Sequence, residues 1–342
     1  METRETYQDE VDLNANDSCL SRLRNNNLWR KESVLEPHAT PIKKNSPLIG
    51  AARGRLMLPA ALGCVFFQGC ANSPGAPPPP EVPPPPPRLR WGLALGGGAA
   101  RGLAHVGVIE VLERAGLIPD LVVGTSAGSL VGALWASGMD AASLRRVALS
   151  FDQSALGDWA FSTRALLKGQ ALADFVNRHV ENRPIEKFPR RFAATAVDLW
   201  SGQLMIFDKG NAGLAVRASA AVPGVFQPVQ VAGREYVDGG LASPVPVRTA
   251  RGMGAQRVLA VDISAKPLFQ STQSLGELLM QTITIMGEHL GSQELREADL
   301  TLRPQVTQRS AIDFSTRPEA IAEGEKAMAA ELANWRKLIG RG

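Results

Sequence analysis

From about residue 89 onward, short apolar runs alternate with longer stretches of helical periodicity, and this alternation constrains the chain more than any other feature. "RWGLALGG" reads as a strand. "AARGLAHVGVIEVLERAG" reads as an amphipathic helix with Leu103, Val106, Ile109, Val111 and Leu112 on its apolar side. "PDLVVG" and "AGSLVGALWASG" repeat the pair. Further strands are predicted in "RFAATAVDL", "QLMIFD", "REYVDG", "QRVLAVDI" and "ADLTLRP", with long helices over about Leu275 to Glu297 and Pro318 to Leu338. Strands that are apolar throughout need cover on both faces, so the pattern predicts an α/β fold with a mostly parallel sheet between helical layers.

Bulk properties exclude several functions. A chain of 342 residues, 44% hydrophobic and 20% charged, holds one large α/β domain with extensions, or two smaller ones. The net charge of +4 is scattered, and no basic run alternates with aromatics, so no nucleic-acid partner is expected. Cys19, Cys64 and Cys70 all precede the α/β region, which therefore has no thiolate nucleophile and no cysteine zinc site. Of the four histidines, His38, His105, His179 and His289, none form a His-x-x-x-His pair. No metal or other cofactor is expected.

The N-terminal part has a different organisation. Residues 1–47 are polar and lack sustained periodicity, and read as disordered or absent from the mature protein. Residues 48–72 carry Arg53 and Arg55, an apolar run from Leu56 to Phe67, and small residues around Cys70. The run has the length of a signal-peptide core and is too short to span a bilayer. Its end, Phe67-Gln68-Gly69-Cys70-Ala71-Asn72, resembles a bacterial lipoprotein processing site, which implies lipidation at Cys70. Phe67 and Gln68 depart from that pattern. Residues 73–88 contain "SPGAPPPPEVPPPPP", a polyproline spacer of about 40–45 Å. These features predict an envelope protein, periplasm-facing and outer-membrane-anchored, or a cytoplasmic one if the signal is unused. A signal some 50 residues into the chain implies a true start downstream of Met1.

Three stretches carry chemistry. The first is Gly96-Gly97-Gly98-Ala99-Ala100-Arg101-Gly102, a glycine loop running into a helix. It fails as a dinucleotide loop because Ala99 breaks the Gly-x-Gly-x-x-Gly frame, and no Gly-Lys-[Ser/Thr] is present, so no nucleotide is expected. It suits an oxyanion hole made by the backbone of Gly97, Gly98 and Ala99. The second is Gly124-Thr125-Ser126-Ala127-Gly128, which is either a nucleophile elbow or an ordinary helix N-cap. The third is Asp238-Gly239-Gly240 at the end of a short strand, which is either a catalytic base or an Asp-Gly turn.

Together the three stretches resemble the patatin-like phospholipase family, in the family's order and at about its spacing. "RASAAVPGVFQPV" and "DGGLASPVPV" look like its later blocks, and the tail looks like the bacterial members related to neuropathy target esterase. The resemblance implies a three-layer patatin-like sandwich, with a catalytic domain over 89–265 and a helical extension packed on it over 266–342. It further implies a Ser126–Asp238 dyad, Arg101 in the family's basic position, and a lipid or membrane ester as substrate. Ala99 stands where many members have a third glycine, which is harmless provided its φ is negative.

Two other readings compete. The order Ser126, Asp238, His289 matches an α/β-hydrolase triad, although His289 falls in a helical pattern. A lipid-anchored lipid-binding protein without turnover is the other. His105, just past the loop, reads as a packed or capping residue. "LGDWAFSTRALLKG", residues 156–169, would place Trp159 and Phe161 on a lid or membrane-facing edge, or in the core.

Overall fold

The computed structural model describes residues 90–151, 158, 164–267, 272–306 and 316–341. The leader, Cys70, the proline-rich spacer, and Trp159 and Phe161 of the candidate lid lie outside the described residues.

In chain order, β1 (Trp91–Leu95) leads through a 3-10 turn (Ala99–Leu103) into α1 (Ala104–Arg114). β2 (Leu121–Thr125) leads into α2 (Ala127–Ala136), and α3 (Ala141–Ser150) follows. Next come β3 (Ala165–Leu167), α4 (Gln170–His179), β4 (Arg191–Asp198), β5 (Leu204–Phe207) and α5 (Ala212–Ser219). The chain continues through β6 (Gly224–Phe226), β7 (Val229–Val231), β8 (Arg234–Asp238), α6 (Val247–Gly252) and β9 (Arg257–Val261). It closes with α7 (Leu275–Leu295), β10 (Leu300–Leu302) and α8 (Arg317–Leu338).

The main sheet has the order β10-β9-β1-β2-β4-β8-β7, with β5 also on β4. All pairs from β10 to β4 are parallel, whereas β5, β7 and β8 run antiparallel to their partners. β3 and β6 form a separate two-stranded parallel sheet. Residues beyond 265 contribute more than helices, because β10 adds an edge strand to the sheet.

Period-two alternation sorts the parallel strands onto two cores. Leu93, Leu95 and Val122 face a layer containing Ile109, Leu134 and Ile321, from α1, α2 and α8. Ala94, Leu121 and Val123 face Val247, Ala250 and Leu295, from α6 and α7. β1 and β2 are buried along their whole length, which explains why they read as continuous apolar runs.

The terminal helix packs unusually closely. A Cβ on Gly107 of α1 would strike the carbonyl of Ile321, and one on Gly324 of α8 would strike the carbonyl of Ala104. The two helices therefore cross backbone to backbone, and Trp335 of α8 meets Trp91 of β1 edge to face, centroids 5.2 Å apart. α7 begins with a capping box between Ser274 and Glu277.

Candidate active site

Ser126 joins β2 to α2. It occupies the N-cap position of the helix, yet its side chain makes no capping hydrogen bond. Its backbone lies at φ 52°, ψ −119°, a conformation that costs a non-glycine residue about 1–3 kcal/mol. Several bonds hold it there. Its N–H donates to Ser219 Oγ at 2.9 Å, and its carbonyl accepts from Ser129 Oγ at 2.6 Å. Glycine is needed on both sides, because a Cβ on Gly124 would meet the Gly128 carbonyl and one on Gly128 the Leu95 carbonyl. The sharp turn leaves the half-buried Ser126 hydroxyl free of the helix it precedes.

The glycine loop lies against this elbow. A Cβ on Gly97 would sit 3.3 Å from Ser126 Cβ, and one on Gly102 2.7 Å from Ala127 Cβ. Two expectations about the loop need correction. The Gly97 N–H donates to the Pro244 carbonyl at 2.9 Å, so it is not a free oxyanion donor. The Gly98 and Ala99 amides have no hydrogen-bond acceptor among the described residues. Ala99 has a positive φ of 52°, not the negative value that would make alanine harmless there. The loop thus carries an alanine in a left-handed conformation that costs about 1 kcal/mol. Gly96 N–H donates to the Val261 carbonyl at 3.0 Å. Arg101 ties the loop to the end of β9 through Nε and the Ile263 carbonyl, 2.8 Å apart. Burial lowers the Arg101 pKa, and nearby Asp262 opposes that shift.

Asp238 arrives from β8, on the antiparallel side of β4. Its N–H donates to the Ala221 carbonyl at 3.0 Å, and its Oδ1 accepts from the Gly240 N–H at 2.7 Å. Its Oδ2 is buried and has no hydrogen-bond partner among the described residues. Burial pushes the carboxyl up to about 6, while hydrogen bonding from the Gly240 amide and the Ser126 hydroxyl favours the charged form. Serine and aspartate are therefore neighbours, although they stand far apart in the chain. Gly239 follows Asp238 without a side chain because a Cβ there would collide with the Thr195 carbonyl.

Sequence reasoning missed the role of the tail of α5. Ser219 holds the Ser126 amide and Ala221 holds the Asp238 amide, so one short segment fixes both backbones. The only signal was the block "RASAAVPGVFQPV", which showed no chemistry of its own. His105 is fully buried and its Nε2 lies 2.9 Å from the Gly96 carbonyl. Burial lowers its pKa to about 4, so it is a neutral packed residue that braces the loop. His289 is exposed on α7, and no histidine is among the groups acting on Asp238. Among the described residues no group of three or more His, Cys, Asp or Glu is placed to hold a metal ion. No described helix is long and apolar enough to cross a membrane.

A parallel sheet with a strained serine at one strand end, a glycine loop at the next and a buried aspartate across from both defines an α/β protein of the serine-elbow class. Residues 93–251 match the family model described as Patatin-like phospholipase, and this segment is a patatin-like phospholipase domain. An uncharacterized NTE family protein of Mycobacterium tuberculosis is 29% identical over 275 residues, covering 72% of this chain and 47% of that protein. The lysophospholipase NTE1 of Coccidioides immitis is 33% identical over 180 residues, covering 51% of this chain and 11% of that protein. The crystal structure of VipD from Legionella pneumophila is similar at a TM-score of 0.46 and 15% identity, covering 72% of this chain and 67% of that one. The chain spans about half the length, or less, of these curated relatives.

Proposed function

We propose that the protein is a lipid acyl hydrolase that cleaves carboxylic esters with a Ser126–Asp238 dyad. One observation carries this reading: a serine held in a strained turn, with an uncommitted side chain, beside a buried carboxyl that its own hydroxyl acts upon. Asp238 accepts the proton of Ser126 as the oxygen attacks the ester carbonyl, and returns it to the departing alcohol. A water then repeats the sequence on the acyl-enzyme, with Asp238 again taking the proton. In this reading the unspent N–H groups of Gly98 and Ala99 stabilise the developing oxyanion; one such donor is typically worth about 3–4 kcal/mol.

An aspartate is a weak base in water. Its burial raises its basicity toward the working pH, against the Gly240 hydrogen bond that favours the charged form, and a dyad without histidine requires that rise. The exposed position of His289 counts against a triad. Strain kept at Ser126 counts against a binding protein without turnover, since binding alone has no use for it. Lysophospholipids and other single-acyl lipids are first among the substrates to test, given the name of one relative. Anchoring at Cys70 in the bacterial envelope belongs to the same proposal. Mass spectrometry of the mature N-terminus tests it, and a peptide from residues 1–47 in purified protein would sink it.

The deciding experiment pairs fluorophosphonate labelling with hydrolysis of a panel of short- and long-acyl esters. Wild type should label at Ser126 and turn over the panel, and Ser126→Ala should do neither. Folded wild-type protein that takes no label and hydrolyses none of the esters would overturn the reading.

A further inference from the structure

The segment Ser243–Val245 touches every stretch that forms the site. The Ser243 amide donates to the Gly239 carbonyl at 2.9 Å, in the turn that follows Asp238. The Ser243 carbonyl accepts from Thr125 Oγ1 at 2.8 Å, one residue before Ser126. The Pro244 carbonyl accepts the Gly97 amide at 2.9 Å, in the glycine loop. Val245 packs against Gly96, where an added Cβ would meet its Cγ2 at 3.0 Å. Thr195 Oγ1 completes the set at 2.6 Å from Thr125 Oγ1. Because the single Thr125 proton goes to Ser243, Thr195 is the donor of that last bond.

This segment is gripped from behind by one side chain. Ser243 Oγ lies 2.9 and 3.0 Å from the two carboxylate oxygens of Glu294, a residue of α7 that is 3% exposed. The backbone amides of Arg248 and Val245 also act on that carboxylate. A buried carboxylate is expensive to keep, and it serves no packing purpose that a leucine would not serve better.

We infer that Glu294 is a positioning residue for catalysis, clamping Ser243–Val245 so that the glycine loop, the serine elbow and the aspartate turn keep one fixed spacing. The inference rests on the hydrolase reading of the site, and it adds a residue that touches neither substrate nor the reacting atoms. Burial raises the Glu294 carboxyl to about 7, against the Ser243 hydroxyl, the charge of Arg248 and the two amides. The charged groups on this side are Arg248 on α6, which acts on the carboxyl, and Glu297 just beyond α7, which pairs with Arg248 at 2.7 Å. Above pH 7 the carboxylate accepts all its partners. Below it the proton takes up part of the carboxyl's acceptor capacity, the Ser243 hydroxyl and the two amides share what is left, and the clamp loosens.

Glu294→Gln keeps the shape and one acceptor oxygen, and mimics the protonated state. The expected result at pH 8 is a kcat about tenfold below wild type with KM nearly unchanged, since the loss falls on transition-state geometry. The deficit should vanish near pH 5.5, and the acid limb of kcat should move from about 7 in wild type to about 6, the Asp238 value. Ser243→Ala should show the same pattern, and the double variant should lose no more than either single change. Hydrogen exchange reads the clamp without any turnover: the Gly97 amide should exchange faster in Glu294→Gln and in Ser243→Ala than in wild type. A folded Glu294→Gln protein with wild-type kcat at pH 8 and an unchanged Gly97 exchange rate would overturn the inference. If wild type neither labels nor hydrolyses, the hydrolase reading fails, and unchanged exchange at Gly97 then overturns the clamp on its own.

Discussion

Ser126 and Asp238 come from the parallel and the antiparallel parts of one sheet and carry two different kinds of unfavourable energy. The serine ends a parallel strand buried on all sides, and its cost sits in the backbone, at a positive φ, while its N–H and C=O are satisfied. The aspartate ends an antiparallel strand with an ordinary backbone, φ −48° and ψ 132°, and its cost sits in a desolvated side chain with one unpartnered oxygen. A hydroxyl needs only to be aimed, which a strained turn accomplishes. A carboxyl must be made more basic, which burial accomplishes and strain does not.

The largest effects are expected from neutralising each partner. Asp238→Asn and Ser126→Ala should each lower kcat on a short-acyl ester by about a thousandfold or more, measured beside matched circular dichroism spectra. Their stabilities should then part company. The wild-type native state holds an extra proton on Asp238 between the unfolded value near 3.9 and the folded value of about 6, so stability falls as pH rises through that window. Asp238→Asn removes this penalty and should gain roughly 2–3 kcal/mol over wild type at pH 8 and little at pH 4, by urea unfolding. Equal gains at both pH values would show that desolvation is not what raises the carboxyl. For the serine the penalty is conformational, so Ser126→Gly should be more stable than Ser126→Ala by about 1 kcal/mol at either pH.

Smaller effects sharpen the picture around the pair. His105→Ala should cost about 2–3 kcal/mol, through a cavity and the lost contact to the Gly96 carbonyl, while folded protein keeps most of its turnover. Ala99→Gly should stabilise by about 1 kcal/mol, because glycine takes φ 52° freely, with kcat within twofold of wild type. His289→Ala should change neither property measurably. A large loss of activity there, with folding intact, would restore the triad.

The parallel half of the molecule was legible in the sequence because its strands are buried on both faces and its helices are long. "PDLVVG", "QRVLAVDI" and the two terminal helices all lie within a few residues of their predicted places. The edge was less so. β6 and β7 are three residues each, too short to show a period, and β7 depends on a turn in which Ala232 and Gly233 both have positive φ. Helices α4 and α5 were hidden among polar and small residues. At the site, residue types and order revealed Ser126 and Asp238, but not which amides are free. That Gly97 is spent on Pro244 depends on a contact between distant segments, which no local pattern encodes. Ser219 and Glu294 escaped for the same reason, as each acts through tertiary contacts with a distant segment.

The bare-backbone crossing of α1 and α8 has a practical bearing on how the protein can be handled. The family match stops at residue 251, but the helix that follows the glycine loop rests on a surface that belongs to residues 317–338. Any shortened version cut at the family boundary would expose the groove at Gly107 and leave Trp91 without its aromatic neighbour, directly behind the loop. A domain trimmed for expression should therefore retain its final helix, and bulky tags or label sites are better placed away from Gly324.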